Sequence, residues 1–166
     1  MIQRKTSPDR TTERVFRHCQ EDYANLQSTL EASNDAEGRF HVQREFGAVY
    51  VAADRETVFT ELDHKAAMLG LSREDLLPRL LLTLELSLRR ILDLTDESVR
   101  RDWGLSTEDI RSNHYGRCQE IARAARDDGY EAIRFPSARG AGENYAVFLD
   151  RLVPGSHLRE FGRESI

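Results

Sequence analysis

Leu80-Leu81-Leu82-Thr83-Leu84-Glu85-Leu86-Ser87-Leu88 is the stretch that decides the fold. Leucines at 80, 82, 84, 86 and 88 recur with period two, and Thr83, Glu85 and Ser87 stand between them. Side chains alternate across a β-strand, so this spacing sets one apolar face against a core and leaves the other more polar. Leucine is also a strong helix former, which keeps a helix as the rival reading. Period two favours the strand. The run from Arg79 to Leu94 therefore reads as one long, half-exposed strand, bent near Arg89-Arg90.

Outward from it, Phe46 to Ala53 (FGAVYVAA) is uncharged, β-branched and aromatic, the composition of a strand buried on both faces. Asp54 then stands as an N-cap, and Val58, Leu62, Ala66 and Leu69 give the helix from about Arg55 to Leu69 an apolar stripe, ended by Gly70. Ser72 to Asp75 has the makings of a capped turn. Asp96 to Val99 opens a helix that stops near Gly104. Tyr115 to Asp128 forms the clearest helix, with Cys118, Ile121, Ala122 and Ala125 on one face and Gly129 after its end. Tyr130 to Phe135 and Tyr145 to Leu149 read as strands joined by a small-residue loop, SARGAGEN, and His157 to Phe161 as a last strand. Towards the N-terminus, Glu13 to Gln20 is a weaker strand signal with Val15, Arg17 and Cys19 on one face; Tyr23 to Leu30 has helical spacing, and Ser33 to Gly38 is a loop by composition. Residues 1–12 read as a charged, flexible leader and residues 13–166 as one domain. The class is mixed α/β (α+β), with a central mixed sheet, flanking helices and no regular βαβ repetition.

Apolar residues make up 39% of the 166 and charged residues 32%, the balance of a folded globular domain. The net charge is −5 and no basic run stands out, which argues against a nucleic-acid partner; a small anionic ligand needs only two or three placed arginines. Cys19 and Cys118 lack metal-ligand spacing and are read as free thiols, with no metal expected. No apolar run reaches the ~20 residues of a membrane helix, and residues 1–10 are too polar for a signal peptide, so a cytoplasmic protein is expected.

Phosphate loops, a dinucleotide glycine fingerprint, HExxH and GxSxG are all absent. Two polar segments remain. One is Gly38-Arg39-Phe40, followed by Gly47-Ala48-Val49-Tyr50 and then Glu61; the other is Phe135-Pro136-Ser137-Ala138-Arg139-Gly140 with Glu143-Asn144. The pattern GRF…GxVYxA…E, then YGRCQEIARAARDDGYEAIRFPSAR…EN, resembles the RES-domain family from about Arg14 to Leu158. Many relatives read GGRWN where this chain has Glu37-Gly38-Arg39-Phe40-His41.

The resemblance implies an ADP-ribosyltransferase-like fold and a toxin-type enzyme of a bacterial toxin–antitoxin pair. Such an enzyme uses NAD⁺ as substrate, cleaving its nicotinamide–ribose bond by phosphorolysis or hydrolysis, or transferring ADP-ribose to a protein. The implied partner is a small Xre-like antitoxin. Matched residue by residue, Arg39 is the motif arginine, Tyr50 the strand tyrosine, Glu61 the motif glutamate and Ser137 the motif serine; Arg17 and Asn144 are further ligand candidates. The residue types suit the chemistry. An arginine holds a pyrophosphate by paired, charge-assisted hydrogen bonds. A carboxylate near the ribose stabilises positive charge as nicotinamide leaves. A tyrosine ring can stack on nicotinamide, and Ser137 can offer its hydroxyl and backbone N–H at a strand end. His64, one turn beyond Glu61, is read as solvated, and Arg139 and Glu143 as a loop ion pair. Two further function classes stand beside the first: a transferase that modifies a specific protein, and a catalytically weak module that only docks a partner.

Overall fold

In the computed structural model, which describes residues 10–21 and 25–166, the alternating leucines do form a strand at the heart of a seven-stranded sheet. The strands are β1 (Thr11–Cys19), β2 (Val49–Ala52), β3 (Leu80–Leu88), β4 (Ile91–Asp93), β5 (Ala132–Pro136), β6 (Glu143–Val147) and β7 (His157–Ser165). The helices are α1 (Leu26–Asn34), α2 (Arg55–Met68), α3 (Glu97–Asp102), α4 (Thr107–Arg111) and α5 (Gly116–Asp127). Sheet order is β4-β5-β6-β2-β1-β3-β7, with β4 and β5 parallel and every other pair antiparallel.

Leu82, Leu84, Leu86 and Leu88 pack on one side of the sheet with Val15, Val49, Val51 and Tyr145, and α1 covers them through Leu26 and Leu30. Leu81 instead joins Ala52 and Val58 of α2 on the other side, so β3 is buried more fully than its half-exposed expectation. On that second side α5 packs Cys118, Ile121, Ala122 and Ala125 against Ile133, Phe135 and Ala146. The bend at Arg89-Arg90 separates β3 from β4, and Glu131 holds it: its carboxylate accepts from the backbone N–H groups of Arg89 (2.8 Å), Arg90 (3.0 Å) and Val153 (2.8 Å).

Several element ends differ from the sequence expectation. β1 begins at Thr11, so Thr11 and Thr12 pair with Leu88 and Ser87 rather than belonging to the leader; residues 1–9 and Tyr23 lie outside the described residues. Leu69 ends α2 as its C-cap residue and is 60% exposed, so it leaves the buried stripe. β7 runs to Ser165 because β3 offers it a whole free edge, and α4, capped by a Ser106–Asp109 box, is too short for periodicity to reveal. Among the described residues no helix is long and apolar enough to cross a membrane.

β1 and β2 share one register pair, Phe16 with Ala52. Beyond it the ladder stops and the strands part. That parting, between α2 and the helices after β4, is where the candidate site lies.

Candidate active site

A cavity of about 630 Å³ opens there, lined by Arg17 and His18 of β1, Tyr50 of β2, Glu61, His64 and Lys65 of α2, Asn144 of β6, and Arg39, Arg79, Tyr115 and Arg139 from connecting segments. Five of the six sequence candidates thus meet in one place: Arg17, Arg39, Tyr50, Glu61 and Asn144.

Glu61 is delivered by α2. Asp54 caps the helix by accepting from the Thr57 N–H at 2.7 Å, and Val58, Leu62 and Ala66 turn towards the sheet. One residue ahead of Leu62, Glu61 then falls at the border of the buried stripe, facing the cavity. Asn144 pairs with Ala52 on β6, and its side-chain amide donates to Glu61 Oε1 at 2.6 Å. Burial raises the Glu61 pKa above its ordinary value, and the Asn144 bond acts in the opposite direction.

Arg39 sits in a loop that is fastened at both ends. The loop backbone is held by Gln119 of α5, whose side chain donates to the carbonyls of Gly38 (3.1 Å) and His41 (3.2 Å). A Cβ on Gly38 would lie 2.0 Å from the His41 ring, so only glycine fits. The Tyr50 hydroxyl accepts from the Phe40 N–H at 3.0 Å and shares a 2.8 Å hydrogen bond with His41 Nδ1. Burial holds the Tyr50 phenol well above its ordinary pKa. Tyr50 therefore anchors the arginine loop as well as lining the cavity. Arg39 itself donates to the carbonyls of Asp109 (3.1 Å) and Ser112 (2.8 Å), with its guanidinium 5.0 Å from the centre of the Tyr115 ring.

Arg17 crosses the gap between the parted strands and donates to the Tyr50 carbonyl at 3.3 Å. Burial, with Arg79 nearby, lowers its pKa. Arg79 donates from Nε to His18 Nδ1 at 3.0 Å. Burial, followed by the charges of Arg79, Lys65 and Arg17, lowers His18 to about 3, so its ring is neutral and accepts. None of Arg17, Arg39, Lys65, Arg79 and Arg139 has an ion-pair partner among the described residues. Such a concentration of unpaired cations suits an anionic ligand.

Ser137 stands apart. It is 6% exposed and lines a smaller neighbouring pocket with Thr57, Thr60 and Gly142, and its hydroxyl accepts from the Arg139 N–H at 3.2 Å. Its place in the structure is to shape the loop that carries Ala138 and Arg139 into the main cavity. Glu143 pairs with Arg134, not with Arg139, whose guanidinium donates to Asn113 Oδ1 at 3.2 Å. His64 lines the cavity and is not solvated at Nε2, which is buried without a hydrogen-bond partner among the described residues. Lys65, Arg79, His18 and Tyr115 were not legible as site residues. The one available signal was Lys65, a helical turn after Glu61. Cys19 and Cys118 are buried free thiols, and no cluster of three or more His, Cys, Asp or Glu able to hold a metal occurs among the described residues.

The mixed sheet thus parts at its centre over a cationic cleft with one half-buried carboxylate, Glu61. The chain belongs to the RES domain family, whose model matches residues 13–160. It is similar to the NAD(+) phosphorylase MbcT of Mycobacterium tuberculosis, 27% identical over 120 residues, which is 71% of this chain and 64% of that protein. It is also similar to the "Probable NAD(+) phosphorylase Rv3189" of the same organism, 32% identical over 119 residues, covering 69% of this chain and 55% of the relative. The matches thus span less than two thirds of these relatives' length. Among solved structures, the M. tuberculosis MbcT–MbcA toxin–antitoxin complex contains a chain with the same fold, with a TM-score of 0.78 and 22% identity over 94% of this chain and 85% of that one.

Proposed function

We propose that this chain cleaves the nicotinamide–ribose bond of NAD⁺ and acts as the toxin of a toxin–antitoxin pair. The observation that carries this reading is the Glu61 carboxylate, held by Asn144 inside a cleft whose other charged groups are cations. The names of the relatives, NAD(+) phosphorylases, supply the substrate class and favour phosphate over water as acceptor.

In this reading Arg39, and Arg139 at the open rim, hold the diphosphate, and Tyr50, with Phe135 edge-on to it, forms the wall for the nicotinamide–ribose end. Glu61, ionised, faces the ribose and stabilises the positive charge that develops as the C1′–N bond lengthens. Asn144 fixes the carboxylate so that little reorganisation is needed at the moment of reaction. Nicotinamide leaves with the bonding electron pair and becomes neutral. Ser137 acts through the loop that presents Arg139. The catalytic domain starts with β1, at Thr11. The site works in the cytoplasm, where it depletes NAD⁺ and slows growth, and an Xre-like antitoxin covers the cleft.

The test is nicotinamide release from NAD⁺ by the purified protein, with and without inorganic phosphate. Release that requires phosphate is expected. Release without phosphate means a hydrolase, and release only with cell extract means an ADP-ribosyltransferase with a protein acceptor. No release under any condition sinks the enzymatic reading and leaves a partner-docking module.

A further inference from the structure

The cleft carries two groups of cations, whereas a dinucleotide has one diphosphate. Arg39 and Arg139 are both fastened to the 109–115 segment, through Asp109, Ser112 and Asn113. Arg17, Lys65 and Arg79 gather elsewhere, around His18 and the start of β3. Lys65 follows Glu61 by four positions on α2, which sets the two side chains on one helix face about 6 Å apart. Arg79 is 8% exposed and spends its Nε–H on His18; the Arg17 Nε is buried with no hydrogen-bond partner among the described residues. Burial, then the charges of Arg79 and Arg17, lowers the Lys65 pKa. Glu61 is the one carboxylate lining the cavity beside these three cations, none of which has an ion-pair partner among the described residues; they repel one another, and a compact dianion relieves that repulsion while filling their open donors. Arg139, by contrast, is exposed and Arg39 half-buried, at the more open side of the cavity.

Resting on the NAD⁺ reading above, we propose that Arg17, Lys65 and Arg79 form the site of the second reactant, a phosphate dianion poised beside the Glu61 end of the cleft. One of its oxygens forms the new bond to ribose C1′ as the C1′–N bond breaks. The electron pair of the broken bond goes to the pyridinium nitrogen. Hydrogenphosphate keeps its proton, so the products are neutral nicotinamide and ADP-ribose 1″-phosphate, and charge balances. His18 is a positioning residue that directs Arg79. Lys65 stands at the mouth, where substitution leaves the core untouched.

The experiment compares wild type, Lys65→Gln and Lys65→Arg. Nicotinamide release is measured against phosphate at saturating NAD⁺ and against NAD⁺ at saturating phosphate, and melting temperature is measured with inorganic phosphate alone. Lys65→Gln is expected to raise the KM for phosphate about tenfold or more, the effect of losing one charge-assisted contact. Its KM for NAD⁺ should stay within about twofold of wild type on the same reasoning, Lys65→Arg should restore most of the phosphate affinity, and phosphate should stabilise wild type but not Lys65→Gln. A raised KM for NAD⁺ with an unchanged KM for phosphate overturns the proposal in favour of the dinucleotide's own diphosphate. Nicotinamide release indifferent to phosphate, with no shift in melting temperature, overturns it while the NAD⁺ reading stands. If wild type releases no nicotinamide, the NAD⁺ reading fails; phosphate stabilisation lost in Lys65→Gln then still supports the anion site, and its absence removes that too.

Discussion

The side-chain amide of Asn144 donates to Glu61 Oε1 at 2.6 Å, joining the inner sheet to α2 at the point where β1 and β2 part. This bond both aims the carboxylate and lowers its pKa against the effect of burial.

Glu61→Gln should reduce nicotinamide release about 10²–10³-fold, the usual cost of deleting one preorganised electrostatic contact to a transition state. Turnover unchanged in a folded Glu61→Gln protein would reject the assignment of Glu61.

Activity should rise with pH as Glu61 ionises, along an acid limb above the ordinary glutamate value of 4.5, since burial raises its pKa. Asn144→Ala removes the bond that opposes burial, so the limb should move to higher pH, with a loss of about 10–100-fold at its plateau. A pH–rate profile of the two proteins decides it; an unmoved limb means that Asn144 does not tune the carboxylate.

The same group sets a stability trend. A carboxyl whose folded pKa is raised contributes stability at low pH that disappears as pH rises through that value. Glu61→Gln, which keeps an acceptor for Asn144, should therefore be more stable than wild type at neutral pH by about 0.5–2 kcal/mol, and the difference should shrink on acidification. Denaturant melts at pH 7 and pH 4.5 measure it.

His18 gives the opposite sign. Its pKa falls from 6.5 to about 3 on folding, so the stability it contributes is present above 6.5 and is lost as pH falls through the window down to about 3. His18→Gln, whose amide oxygen can still accept from Arg79, should flatten the acid limb of a melting-temperature profile over that window. An unchanged slope would mean that His18 takes up no proton on unfolding.

Away from the cleft, Glu131→Ala should cost about 3 kcal/mol or more, because it strands the N–H groups of Arg89, Arg90 and Val153. Urea unfolding reads this directly, and a loss below about 1 kcal/mol would mean that water replaces the carboxylate.

Much of the fold was legible because it follows local rules. The alternating leucines of β3, the Asp54 cap and the Cys118–Ile121–Ala122–Ala125 face each rest on periodicity or capping. Residues decided by tertiary contact were not. Leu69 leaves the stripe because α2 ends one residue earlier, and β7 gains its length from the edge of β3. The family pattern pointed to Arg39, Tyr50 and Glu61 as residues, but not to the Tyr50 hydroxyl as the tether of the arginine loop. Lys65, Arg79 and His18 carry no motif. They become a group only when β1, α2 and the start of β3 meet, and single cations in sequence look like solvated surface.

The parted sheet also fixes when the cleft can first exist during synthesis. Arg17, Arg39, Tyr50, Glu61 and Arg79 leave the ribosome early, yet Asn144 and the strand that seats it come some sixty-five residues after Arg79. The outer edge of β3 stays bare until residues 157–165 follow. Domains fold as units, and sheets built from distant pairings close late. The cleft therefore stays incomplete while only the segments up to β5 have been made, and it closes only once β6 and β7 have paired with β2 and β3.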